Sequence, residues 1–121
     1  MAWMAAIAIF EDDTLMRSLL TEWLAAEGHA VSGCRNDGAP ACASPDLLIV
    51  AVYMPRHSGI EQLRYARGRH PGVPIIAISG QFRPRMDCAG SAARALGVDR
   101  VIAKPMSRET LVHAVQSVIG P

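Results

Sequence analysis

The sequence predicts one α/β domain, an open and doubly wound sheet of five parallel strands with helices on both faces. Short apolar runs without polar alternation recur along the chain, which is typical of strands covered on both faces. Segments with helical spacing separate these runs, and this alternation indicates right-handed βαβ crossovers in a parallel sheet. The length of 121 residues suits a single domain, so we expect one domain over 1–121.

Five strands are predicted. One of them, at 30–34, is half polar and suits the edge of the sheet. The other four are almost wholly apolar and are bounded by glycine, proline or aspartate, as expected for interior strands; they lie at 5–10, 47–52, 74–78 and 100–103.

Helices are predicted between the strands. The first has apolar residues on one face, ends at Gly28 and can be capped by Asp13 or Thr14. Further helices are expected over 58–69, 88–96 and 108–119, whereas the irregular stretch 35–44 supports at most a short helix. The apolar face of the first helix consists of Met16, Leu19, Leu20, Trp23 and Leu24.

Composition excludes several classes of protein. The 12 Lys+Arg and 11 Asp+Glu leave a formal net charge of +1, which gives no overall field for nucleic acid or an anionic membrane. The 3 cysteines lack the spacing of a zinc site or a disulfide scaffold, which favours a reducing compartment. The apolar residues at the N-terminus are too few to span a bilayer. We therefore expect a cytoplasmic protein that binds neither nucleic acid nor membrane directly.

Polar residues follow the predicted strands at their carboxyl ends, where sheets of this class hold their sites. Glu11, Asp12 and Asp13 follow the first strand, Ser79 ends the fourth, and Lys104, the single lysine, follows the fifth. Adjacent carboxylates repel unless a cation such as Mg²⁺ lies between them. Alternatively, Asp13 caps the first helix, the other acids and the lysine are solvated, and Ser79 bonds to nearby backbone.

Taken in order, these segments resemble the receiver domain of two-component response regulators, the CheY-like family, with its flavodoxin-like strand order. The resemblance extends from residue 5 to residue 119. The matching segments are the acidic first loop at 9–13, the central strand and turn at 46–50 with Met54, Pro55 and Gly59, the hydroxyl-bearing strand at 74–80, and the closing segments at 95–98 and 103–105.

The resemblance implies roles for the matching residues. Glu11 and Asp12 match the acids of the metal site, and Tyr53 would offer its backbone carbonyl to Mg²⁺. Ser79 matches the hydroxyl that hydrogen-bonds the phosphoryl group, and Lys104 matches the lysine that pairs with the acceptor carboxylate or its phosphate. Together they would form a phosphoryl pocket with a metal ion.

The departure from the family is at its centre. Ala51 occupies the phosphoacceptor position, three residues before Met54, and a methyl group is not a nucleophile. The alanine is either natural, in a pseudo-receiver, or engineered from aspartate. Without this carboxylate we expect weakened Mg²⁺ binding, and we expect Lys104 to turn to Asp12 or to solvent. Val101 replaces the aromatic residue that often moves together with the hydroxyl residue, here Ser79.

We therefore expect a non-enzymatic, single-domain response regulator that acts through protein contacts with a sensor histidine kinase or phosphorelay protein. The resemblance also implies a homodimer through the family's fourth helix, fifth strand and fifth helix, residues 92–118. The alternatives are a small flavodoxin-like enzyme or cofactor-binding module and a purely structural dimerisation domain. A basic cluster that ends the helix at 58–69 is expected to be a solvated helix end; it contains Arg64, Arg67, Arg69 and His70.

Overall fold

The computed structural model describes residues 5–11, 13–34, 45–52, 57–80, 91–104 and 106–119. The irregular stretch 35–44 lies outside these ranges, and so does the short helix considered there. Within them, strands and helices follow one another as the sequence predicts. In chain order the elements are β1 (Ala6–Phe10), α1 (Thr14–Ala26), β2 (Ala30–Cys34), β3 (Leu47–Ala51), α2 (His57–Arg69), β4 (Ile75–Ser79), α3 (Ser91–Leu96), β5 (Arg100–Ala103) and α4 (Arg108–Ile119).

The strands form one parallel sheet in the order β2-β1-β3-β4-β5. This is the flavodoxin-like order, so the predicted fold class is confirmed. β2 lies at the edge, as its half-polar sequence indicates, and every residue of β3 and β4 is buried. The register aligns Ala51 with Ile78 and Ser79 with Ala103, so β3, β4 and β5 end side by side.

Alternate residues of each strand point to opposite faces, and each face has its own core. On one face Ile9, Ile49 and Ile78 belong to the same buried cluster as inward residues of α1 and α4. On the other face Phe10 and Val50 belong to a cluster with residues of α2 and α3. The prediction of helices on both faces is thus confirmed.

The helix starts refine the predicted bounds. The Asp13 side chain accepts a hydrogen bond from the backbone N–H of Met16 at 3.0 Å, so Asp13 rather than Thr14 caps α1. α2 begins at His57, one residue earlier than predicted. α3 is described from Ser91 onward. In the part of the chain that the structure describes, no helix is long and apolar enough to cross a membrane.

Candidate functional site

Glu11 directly follows β1 and carries a carboxylate into the protein, with 0% of the residue exposed. Its Oε1 accepts a hydrogen bond from the backbone N–H of Asp13 at 3.0 Å. Its Oε2 lies 3.1 Å from Nζ of Lys104. A carboxylate removed from water is costly unless it is paired and hydrogen-bonded, and both oxygens of Glu11 meet this requirement inside the chain.

Lys104 follows β5, at the far side of the sheet from Glu11. Its backbone N–H donates to the carbonyl of Ser79 at 3.0 Å, which fixes the residue beside the end of β4. Its side chain is only 18% exposed where it meets Glu11. Because β3 and β4 lie between β1 and β5, the two long side chains meet across the carboxyl ends of these middle strands. The predicted alternative of a solvated Lys104 is therefore wrong, because its ammonium pairs with the buried Glu11. The predicted contact with Asp12 lies outside the described residues and stays a prediction.

Ala51 is the last residue of β3 and is completely buried, with 0% exposed. It belongs to the same cluster as Ile9, Ile49 and Ile78. Its methyl group therefore continues the apolar core up to the end of the strand. No attacking oxygen is available at this position.

The two positions implied to work as a switch both lie in the sheet. Ser79 ends β4 and is 2% exposed, and its carbonyl receives the Lys104 N–H. Val101 lies within β5, opposite Ala77 in the register, and is also 2% exposed. Val101 packs in the cluster of the α2 and α3 face, whereas Ser79 stands at the edge beside the ion pair. The structure thus places Ser79, but not the side chain of Val101, in the region of the predicted pocket.

Two predicted metal-site residues, Asp12 and Tyr53, lie outside the described residues. Their roles remain predictions. Among the residues that the structure describes, no group of three or more His, Cys, Asp or Glu side chains is placed to hold a metal ion. Of the predicted metal-site side chains, Glu11 is thus the one that can be examined, and Lys104 and Asp13 occupy its oxygens.

The sequence analysis missed two polar side chains that support the end of β1. Gln62, on α2, is buried and donates from Nε2 to the carbonyl of Phe10 at 3.2 Å. Arg17, on α1, donates from Nη1 to the carbonyl of Glu11 at 3.1 Å. Gln62 could have been found as a polar residue next to the inward-facing Leu63. Both bonds hold the backbone that carries Glu11.

Comparison with known proteins identifies the family of this chain. A sequence profile of the family described as "Response regulator receiver domain" matches residues 7–116. The chain belongs to the receiver-domain family of response regulators. Its place in two-component signalling follows from this membership.

Relatives with known names share the same family. The receiver domain is 35% identical over 105 residues to "Regulator of RpoS" of Escherichia coli K12, an alignment covering 83% of this chain and 30% of that protein. It is 30% identical over 118 residues to "Response regulator MprA" of Mycobacterium tuberculosis, covering 93% of this chain and 50% of that protein. The chain therefore spans half or less of the length of these relatives.

Solved structures show the same fold. A response regulator from Thermotoga maritima superposes with a TM-score of 0.73 at 15% identity, covering 98% of this receiver domain and 100% of that chain. A response regulator from Burkholderia multivorans gives a TM-score of 0.60 at 26% identity, covering 96% and 95%. The chain thus has the backbone fold of a receiver domain.

Proposed function

We propose that this receiver domain takes part in two-component signalling without accepting a phosphoryl group at position 51, and that it acts through protein contacts rather than as an enzyme. The buried methyl group of Ala51 at the carboxyl end of β3 carries the proposal. Phosphoryl transfer to a receiver requires a carboxylate oxygen that attacks phosphorus, and alanine has none. The chain is in this sense a pseudo-receiver.

The ion pair between Lys104 and Glu11 supports a second part of the proposal. Family resemblance implies that this lysine pairs with the acceptor carboxylate or its phosphate. Here its ammonium lies 3.1 Å from Glu11 Oε2, which is itself completely buried. Removing either partner of such a pair leaves an uncompensated buried charge, so the pair favours a single arrangement. We propose that this contact takes the place of the missing acceptor and holds the pocket in that arrangement.

Mg²⁺ binding is proposed to be weak. Mg²⁺ requires near-ideal octahedral oxygen geometry, usually with one or two carboxylates and several waters. Both oxygens of Glu11 already have partners in Lys104 and Asp13. The carboxylate that the family would supply at position 51 is a methyl group. The described residues therefore fit the ion poorly.

The proposed partners are a sensor histidine kinase or phosphorelay protein and a second copy of the chain. For the homodimer we propose the face formed by α3, β5 and α4, within residues 92–118. Arg94 on α3 and Glu109 on α4 are both exposed on these helices, and opposite charges can pair between copies. Sedimentation at several concentrations tests this proposal, because the charge reversal Arg94→Glu should weaken a dimer built on this face.

The direct test of the main proposal is intact-mass analysis after incubation with Mg²⁺ and a small acyl phosphate. The parent chain, Ala51→Asp and Ala51→Asn would be treated in parallel, with the asparagine variant as the matched control for size and polarity. We expect the mass of one phosphoryl group on Ala51→Asp alone, because that variant alone regains the nucleophile.

Other results would change the proposal in defined ways. A phosphoryl group on the parent chain would contradict it, since another residue would then be the acceptor. If none of the three proteins is modified, the pocket has lost more than its acceptor, and the Lys104–Glu11 pair would be the first contact to examine.

A further inference from the structure

A cavity of about 800 Å³ opens at the amino-terminal edge of β4 and β5. Four residue steps of β4, from Ile75 to Ser79, separate this edge from the Glu11–Lys104 pair, or about 13 Å at the usual rise of a strand. The cavity walls come from the end of α2, the turn after it, the end of α3 and the last turns of α4. Its volume lies in the range of small-molecule sites.

The first basic group on the wall is Arg67, near the end of α2. Its Nη2 donates to the carbonyls of Leu96 and Gly97 at 2.5 and 2.8 Å, at the end of α3. The guanidinium is thereby fixed, and the residue is half-buried. Arg67 thus departs from the expected solvated helix end, whereas Arg64 and Arg69 are exposed as expected. Its bonds to the described residues all start from Nη2, so Nε and Nη1 retain their donor capacity toward a ligand.

The second basic group is Arg100, the first residue of β5. Its Nε donates to Oγ of Ser117 at 3.2 Å, and its Nη1 donates to the carbonyl of Asp99 at 2.7 Å. Ser117 in turn donates to the carbonyl of Ala114 at 2.8 Å, which orients the hydroxyl as an acceptor for the arginine. Among the described residues, the bonds of Arg100 do not involve Nη2.

Charge and polarity on the remaining walls favour an anion with an apolar part. The carboxylate on the wall, that of Asp99, accepts the backbone N–H of Ile75 at 2.9 Å. Two guanidinium groups against this one carboxylate leave a formal charge of +1 on the lining. Val73 and Val118 add apolar surface to the lining.

We propose that this cavity binds a small organic oxyanion, a phosphate or carboxylate group attached to an apolar body. Charge-assisted hydrogen bonds from guanidinium to such groups are among the strongest in proteins. Both arginines are already held by backbone or side-chain acceptors, so little side-chain entropy is lost when a ligand binds. Binding at such a site would let a ligand regulate this chain without phosphorylation at position 51. The proposal does not depend on the proposed function.

The test is a titration of the 121-residue chain by ¹H–¹⁵N NMR with three probes: phenyl phosphate, benzoate and uncharged benzyl alcohol. The amide signals of Gly72 and Gly97 report on the cavity wall. We expect saturable shifts at these signals with phenyl phosphate or benzoate, and no comparable binding of benzyl alcohol. Which acid binds more tightly identifies the group that the site prefers.

Variants show whether the guanidinium groups are responsible. Arg100→Gln should raise the dissociation constant at least about tenfold, because a charge-assisted hydrogen bond is lost. Ser117→Asp should do the same while keeping Arg100, because an internal carboxylate would occupy its guanidinium. The matched control is Arg64→Gln, an exposed arginine of α2 that does not line the cavity; it should bind as the parent does.

Three results would overturn the proposal. They are the absence of saturable binding by both acids, equal binding of benzyl alcohol, and equal losses in Arg64→Gln and Arg100→Gln. The last result would mean that the probes respond to general surface charge. Melting temperatures of the variants establish that each is folded. If Arg100→Gln does not fold, Ser117→Asp still tests the role of the Arg100 guanidinium.

Discussion

Charged side chains are arranged differently at the two ends of the strands, which we call the carboxyl edge and the amino edge of the sheet. At the carboxyl edge, the Lys104 ammonium and the Glu11 carboxylate satisfy each other, and the glutamate is completely buried. At the amino edge, Arg67 and Arg100 are held mainly by backbone carbonyls, which use part of their donor capacity but leave their charge. The Glu11–Lys104 pair favours one internal arrangement. The two fixed guanidinium groups share the cavity wall with one carboxylate, that of Asp99, and remain suited to an external anion. The proposed anion site thus lies at the opposite ends of the strands from the predicted phosphoryl pocket.

The largest effect on stability is expected from breaking the ion pair between Glu11 and Lys104. Lys104→Met should lower the free energy of unfolding by about 3 kcal/mol, because Glu11 would remain buried without its cation. Urea denaturation of this variant, of Glu11→Gln and of the double variant completes a cycle that isolates the pair. The double variant should lose less than Lys104→Met alone. A loss of less than about 1 kcal/mol in Lys104→Met would show that the pair is dispensable.

A carboxylate placed at position 51 should make the carboxyl edge responsive to metal. Ala51→Asp adds a carboxylate at the carboxyl end of β3, the strand between β1 and β4. We expect it to compete with Glu11 for Lys104 and to cost about 1–3 kcal/mol of stability without Mg²⁺. Mg²⁺ should recover part of this loss and bind at least about tenfold more tightly than to the parent chain. Thermal unfolding with and without Mg²⁺ measures both effects. Ala51→Asn controls for size, and an equal Mg²⁺ response in that variant would exclude the added charge as the cause.

At the amino edge, Arg67 should contribute to the stability of the fold as well as to ligand binding. Arg67→Gln removes the bonds to the carbonyls of Leu96 and Gly97 and should cost about 1–1.5 kcal/mol, measured by urea denaturation. Arg64→Gln, an exposed position on the same helix, should change stability by less than about 0.5 kcal/mol. Similar losses in the two variants would mean that the contacts at the end of α3 add nothing specific.

The smallest effect is expected on the pH dependence of stability and concerns His70, which follows α2. Burial, and then the neighbouring charge of Arg69, lower the pKa of His70 below its usual 6.5. The folded protein therefore favours the neutral ring, so its contribution to stability is complete above pH 6.5 and is lost as the pH falls through that value and through the lowered pKa. Denaturation at about pH 7.5 and about pH 5.5 should show a smaller pH dependence in His70→Gln than in the parent. An unchanged pH dependence would assign it to other groups.

The sequence predicts the sheet, the helices on both faces and the placement of Glu11, Ser79 and Lys104 at one edge, because local periodicity and the rule of strand ends determine all of these. It does not predict that Lys104 reaches Glu11, since the pairing depends on which side chains bridge the ends of two intervening strands. The same limit applies to Arg67. Its position at a helix end indicates solvent, but its orientation follows from the placement of α3, which is distant in sequence.

Gly97 adopts a positive φ of 71° where α3 ends, and a Cβ atom there would lie 3.0 Å from Nη2 of Arg67. A larger residue would thus strain the backbone and displace the guanidinium from the cavity wall. The two positions should therefore vary together in evolution. Among receiver sequences, an arginine at the position of Arg67 combined with glycine at the position of Gly97 and arginine at that of Arg100 would mark the chains that share this cavity, and a change at the glycine should be accompanied by loss of the first arginine.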